Sequence, residues 1–270
     1  VDQVPQSVDG SATATDDVPT VKLMTLRLWN LTEAQVVEQL MRRHERGLGT
    51  RLVTLNLDIL RQYHQDPDVR RMIDCADGIV ADGMPLIWAS RIQGSPLPER
   101  VCGSNLIYSV PAAAAERGLR VFLLGGGKED TATRCEATLK ERYPNLIVCG
   151  TYYPPFGFEK DAGQMQQMAD SVSQAKPDVV LVALSFPRSE RVIGRLHELA
   201  PKAIWIAVGI SFSFVIGDVV RAPRWVQQLG LEWMHRLFQE PGRLIRRYLI
   251  DDMPFAARLL ASAMFGRRGR

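Results

Sequence analysis

The sequence predicts an α/β protein: a mostly parallel sheet flanked by helices in a Rossmann-like arrangement, followed by an all-helical C-terminal appendage. Three observations carry this. Short apolar runs alternate with longer helical patterns up to about residue 216, the signature of successive βα units. Runs such as Val121–Leu124 and Val179–Leu184 are apolar throughout, as in strands buried on both faces. Beyond Ile216 only helix signals remain.

Residues 1–20 hold Asp2, Asp9, Asp16 and Asp17 among Ser, Thr and Pro with no basic residue, which predicts a disordered leader and no signal peptide. The expected strands are Lys22–Leu28, Arg51–Leu55, Gly78–Val80, Arg120–Leu124, Leu146–Thr151, Asp178–Leu184 and Ala203–Val208. Between them, helical patterns cover Thr32–Arg46, Leu57–His64, Pro67–Cys75, Met84–Ile92, Ser104–Glu116, Lys128–Tyr143, Lys160–Gln174 and Arg188–Leu199. Asp66-Pro67-Asp68 spells a DxD, but at a helix start, where a cap is the expected role. Arg224–Leu229, Leu231–Gln239 and Pro241–Asp252 read as tail helices, with Pro254 ending or kinking what precedes it. The expected division is a leader over 1–20, an α/β catalytic domain over 21–218 and a basic amphipathic appendage over 219–270.

Charge divides along the same line. The last fifty residues hold ten Arg, no Lys and four carboxylates, a net of +6, whereas the first 220 residues net −3. A diffusely basic nucleic-acid binder is excluded; the chain is a near-neutral body with a cationic tail. In Pro241–Asp252, Leu244, Ile245, Tyr248 and Leu249 form one apolar stripe flanked by Arg243, Arg246 and Arg247. Arg grips phosphate bidentately, and this pattern suggests an interfacial helix on anionic lipid. No apolar run reaches transmembrane length. The four Cys form no CxxC pair and the four His no metal-ligand spacing, so free thiols of a reducing compartment and no metal site are expected.

Ligands of open parallel sheets bind beyond the carboxyl ends of the strands. Thr54 and Asn56 fall there after the second strand, as substrate contacts or, for Asn56, as a helix cap. Asp82, in Ala81-Asp82-Gly83, is placed as a general base or a cap. Gly125-Gly126-Gly127 opens a helical pattern without forming a Walker A or GxGxxG loop. It suits either close approach to a diphosphate or a tight structural turn.

The ordered run Arg221-Ala-Pro-Arg-Trp225, Gly230-Leu-Glu-Trp233, Arg236-Leu237, Glu240-Pro241, Arg243 and Arg246-Arg247-Tyr248 resembles the C-terminal signature of the WecG/TagA/CpsF glycosyltransferase family. Thr54-x-Asn56, Ala81-Asp82-Gly83, Glu99-Arg100-Val101-x-Gly103, Phe122-Leu-Leu-Gly125 and Val208-Gly209 with Ser211-Phe212 follow the family order, so the resemblance spans about Val21 to Phe255. It implies an inverting, metal-independent transferase without a cofactor. Such an enzyme moves an N-acetylmannosamine-like or glucose-like sugar from a UDP-sugar to a polyprenyl-diphosphate-linked saccharide. The setting implied is the inner face of the cytoplasmic membrane, in cell-surface or exopolysaccharide biosynthesis.

By the same resemblance Asp82 is the base, Thr54 and Asn56 shape the sugar pocket, and Arg100 lies near a diphosphate. Arg236, Arg243 and Arg246 close over the site and hold diphosphate, while Gly125 and Ser189 line it. The partners implied are the donor, the lipid-linked acceptor and an anionic membrane surface; no nucleic acid is implied, and a homo-oligomer stays open. Two positions depart from the pattern: Asn105 replaces an Asp and Ser189 a Gln, the latter near the presumed donor pocket. These departures are what would favour the alternative, a nucleotide-binding scaffold that has lost catalysis and docks on a membrane polysaccharide-assembly complex.

Overall fold

The computed structural model describes residues 18–223, positions 226, 232, 234, 237 and 242, and residues 245–266. Six parallel strands form the central sheet in the order β4-β3-β8-β7-β5-β6: β3 (Thr50–Leu55), β4 (Gly78–Ala81), β5 (Arg120–Gly125), β6 (Ile147–Tyr152), β7 (Val179–Ala183) and β8 (Ile204–Ala207). Successive residues alternate between the two faces. Val121, Leu123, Val179, Leu181, Ile204 and Ile206 enter one core, and Phe122, Leu124, Val180, Val182 and Trp205 enter another. Both faces are therefore buried, which is why the strands read as unbroken apolar runs.

One face is covered by α1 (Glu33–Glu45), α5 (Gly103–Arg117), α6 (Thr131–Arg142) and α9 (Ser211–Val215). The other is covered by α2 (Leu57–Gln65), α3 (Pro67–Asp74), α4 (Met84–Ile92), α7 (Ala162–Ala175) and α8 (Arg188–Leu196). The capping box at Thr32, the Asn56 cap on α2 and the Asp66 cap on α3 fix three helix starts. Asp66 thus serves as a cap, as its position suggested.

Three local readings change. Lys22–Leu28 is two strands, β1 (Thr20–Leu23) and β2 (Leu26–Trp29), paired antiparallel around Met24-Thr25. Met24 adopts φ 52°, so the turn is made without the Gly or Asn that would advertise it. The helix expected from Lys128 starts at Thr131, whose hydroxyl accepts the Lys128 N–H at 2.9 Å and closes the preceding loop. Pro254 lies in the first turn of α10 (Met253–Gly266), directly after a π-helical stretch over Arg246–Asp252. Proline is at home in a helical first turn, and here the winding changes beside it.

The helix α10 packs on α4 and α2 and buries Phe255, Leu259 and Ala263 in the same core as Leu86 and Ile87 of α4. Among the described residues no helix is long and apolar enough to cross a membrane.

Candidate functional site

Strands β3 and β4 run parallel in a register that sets Thr54 opposite Val80 and Leu55 opposite Ala81. That register delivers Thr54, Asn56 and Asp82 to the same carboxyl edge of the sheet. The Asp82 N–H donates to the Leu55 carbonyl at 2.7 Å, extending the ladder by one residue. Helix α4 starts from an N-cap at Gly83, so Asp82 lies one residue ahead of the cap position. The Thr54 hydroxyl donates to the Ala207 carbonyl of β8 at 3.5 Å. The Asn56 side-chain oxygen accepts the Ile59 N–H at 3.0 Å, so the cap reading of Asn56 holds. Its amide nitrogen, and the second lone pair of that oxygen, can still meet a ligand.

The segment ahead of α5 brings Arg100 to this edge. Its Nη1 lies 3.7 Å from Asp82 Oδ1 and 3.1 Å from Oε2 of Glu232, a residue of the cationic tail. Arg221 Nε donates to Glu232 Oε1 at 3.1 Å. Arg221 Nη1 donates to Asn105 Oδ1 at 2.8 Å and to the Ser104 carbonyl at 3.1 Å. Asn105 Nδ2 donates in turn to Glu33 Oε2 at 2.8 Å. The chain of partners therefore alternates in charge: Asp82, Arg100, Glu232, Arg221, then the neutral Asn105 and Glu33.

The departure at position 105 has a local reason. An amide can accept from Arg221 and donate to Glu33 at once, whereas a carboxylate there would face the Glu33 carboxylate without a proton to give.

The electrostatics follow from burial and from these neighbours. Burial opposes the charge on Glu232, but Arg221 and Arg100 outweigh it and hold its pKa below the usual carboxylate value. Burial likewise opposes the charge on Arg100, while its anionic neighbours Asp82 and Glu232 favour it, and the guanidinium pKa is raised overall. The Cys102 thiol beside them is pushed up to about 11 by burial and then by Asp82, so it stays protonated and unreactive near neutrality.

Farther along the edge, Gly125 ends β5 with φ +101°, and a Cβ there would lie 2.6 Å from the Ala183 carbonyl of β7. This glycine is required by strand-to-strand packing, the structural of its two readings. Ser189 sits in the first turn of α8 and is buried, with only 2 % exposed. Arg246 is exposed in the π-helical stretch. Arg236 and Arg243 lie outside the described residues. The structure thus gathers Thr54, Asn56, Asp82 and Arg100 at β3, β4 and the approach to α5, while Gly125 and Ser189 belong to β5 and α8. Among the described residues no group of three His, Cys, Asp or Glu side chains is arranged to hold a metal.

Arg221 and Glu232 belong to the tail signature, yet the sequence alone gives neither a role. Their signal was the tail's own composition. Of its four carboxylates, Glu232 pairs with Arg100, and Asp252 pairs with Arg61 Nε at 3.1 Å. Acids in so cationic a segment mark where it is tied to the body.

The model of the glycosyl transferase WecG/TagA/CpsF family matches residues 21–269. An N-acetylglucosaminyldiphosphoundecaprenol N-acetyl-beta-D-mannosaminyltransferase of Bacillus spizizenii is 33% identical over 199 residues, covering 74% of this chain and 75% of that protein. The enzyme of the same name from Bacillus subtilis is 31% identical over the same shares. With a family model matched along nearly the whole chain and relatives aligned over three quarters of theirs, the chain belongs to the WecG/TagA/CpsF glycosyltransferase family.

Proposed function

We propose that this glycosyltransferase moves a hexose-type sugar from a UDP-sugar to a polyprenyl-diphosphate-linked saccharide, with Asp82 as the general base. The acceptor class comes from the relatives, whose names specify an N-acetylglucosaminyl-diphosphoundecaprenol acceptor and an N-acetylmannosaminyl group transferred. One observation carries the role of Asp82: it stands at the carboxyl edge of the sheet, directly after β4, with Arg100 at 3.7 Å.

In the proposed step Asp82 takes the proton of the acceptor hydroxyl. The oxygen attacks the anomeric carbon from the face opposite the leaving group, the bond to UDP breaks, and the configuration inverts. Negative charge grows on the departing diphosphate, and Arg100 with the tail arginines offsets it without a metal. Thr54 and Asn56 border the sugar. Ser189 stands where the family pattern has a Gln near the presumed donor pocket, so glucose-like donors belong in the assay.

The catalytic body is residues 21–218. Residues 219–270 hold it on the inner face of the cytoplasmic membrane, supported by the exposed Ile250, Met253 and Phe265 beside Arg246 and Arg258.

The test is turnover of the full chain with a panel of UDP-sugars and a synthetic polyprenyl-diphosphate N-acetylglucosamine. Asp82→Asn should fold normally and lose about a hundredfold or more in turnover. Near-normal turnover in that variant removes Asp82 from the base role. Absence of UDP release with every donor favours the scaffold reading.

A further inference from the structure

Glu232 stands where an anion is wanted. Two guanidinium groups from separate segments converge on its carboxylate: Arg100 Nη1 at 3.1 Å from Oε2 and Arg221 Nε at 3.1 Å from Oε1. Both arginines are anchored otherwise. Arg221 is held by Asn105 and the Ser104 carbonyl, and Arg100 lies beside Asp82. The two cations therefore have fixed directions that do not depend on Glu232 alone.

The carboxylate fills this place imperfectly. Glu232 Oε2 is buried against Arg100 Nη1 at 3.1 Å. A planar carboxylate has two oxygens and one charge. A phosphate presents three oxygens tetrahedrally and more charge, and paired guanidinium groups match it well. Glu232 also belongs to the tail, whereas Arg100 belongs to the body, so the contact spans the joint between them.

From this we infer that Arg100 and Arg221 form a phosphate-binding site, and that Glu232 is its internal occupant, displaced when a diphosphate-bearing substrate arrives. The inference rests on the diphosphate chemistry of the proposed function. It adds Arg221 as a binding residue and gives Glu232 the role of a competitor for the site. In the empty enzyme the carboxylate keeps two like charges together. When a phosphate replaces it, the same two arginines are retained and the Glu232 side chain gives up its place.

The experiment is calorimetric titration of the full chain with inorganic pyrophosphate at low salt. Glu232→Gln keeps the shape but removes the charge, and it should bind pyrophosphate about tenfold more tightly than the unaltered chain, the scale of one charge-assisted contact. That gain should vanish in the double variant Arg221→Gln with Glu232→Gln. Unchanged or weaker binding in Glu232→Gln overturns the inference and leaves Glu232 as a brace for Arg100. A gain that survives removal of Arg221 overturns it as well, because the anion would then sit elsewhere. Glu232→Ala repeats the test with the side chain removed, and loss of the native melting transition in both variants would assign Glu232 to structure alone.

Because pyrophosphate binding is read without turnover, the two proposals fail separately. Tighter binding without sugar transfer by the unaltered chain would spare the anion site and remove the proposed function. Transfer with no change in binding would do the reverse.

Discussion

Glu190 lies in the first turn of α8, only 8 % exposed, and burial alone pushes its carboxyl up to about 7. A carboxyl whose pKa is raised on folding binds its proton more tightly in the native state than in the unfolded one. Stability therefore falls as pH rises from the ordinary carboxylate value of 4.5 through about 7, and it is flat above that. The full shift corresponds to a penalty on the order of 3 kcal/mol for the ionised form. Glu190→Gln should therefore stabilise the protein by roughly 1–3 kcal/mol at pH 8 and by almost nothing at pH 5. Urea unfolding at the two pH values measures this, and an equal effect at both would show that ionisation is not the cause. At this scale the sequence was legible where chemistry is local. The position of Asp82 at a strand end was legible because a carboxylate follows a short apolar run. The pairing of Arg100 with Glu232 was not, because it joins positions far apart in the chain, and no periodicity records such a contact.

Elements were legible where their signals are periodic. All six strands of the parallel sheet correspond to apolar runs in the sequence, displaced by a residue or two at their ends. The exception, the β1–β2 hairpin, turns on Met24-Thr25 and has no sequence mark of a turn. The attachment of the last helix was hidden as well. Apolar residues in an amphipathic tail look alike whether they face lipid or protein, and in α10 Phe255, Leu259 and Ala263 face protein. The attachment continues through charge: Arg61 lies 3.1 Å from the buried Asp252 and 2.5 Å from Asp58. Burial opposes the charge on Arg61, and these two carboxylates more than compensate, raising its pKa. Asp252→Asn weakens this pair while Asp58 remains, so it should cost about 1–3 kcal/mol. The loss should concentrate in faster amide exchange over residues 253–266. An unchanged unfolding midpoint and unchanged exchange there would remove Asp252 as the tie.

For the whole molecule, the tail is both the carrier of positive charge and a part of the folded body. Its acids Glu232 and Asp252 point to body arginines, while Arg246 and Arg258 remain exposed. Helix α10 is apolar on its buried side and again on its outer side, where Met253, Met264 and Phe265 are exposed along with Ile250 just before it. That arrangement decides how membrane attachment should be tested. Truncation near residue 222 would remove the outer surface, but it would also strip Phe255 and Leu259 from the core over α2 and α4. Lost vesicle binding would then report misfolding as readily as a missing anchor. Substitutions confined to the outer side avoid this. Ile250→Asp with Met253→Asp removes two large apolar side chains, each worth about 1.5–3 kcal/mol when buried, from a face that touches no core. It should reduce sedimentation with phosphatidylglycerol vesicles by at least about tenfold. The melting temperature should stay nearly constant. In the unaltered chain, binding should weaken as salt rises, because each arginine near an anionic surface contributes on the order of 1 kcal/mol that salt screens. Full vesicle binding by the double variant at low salt would move the membrane contact to another face of the protein.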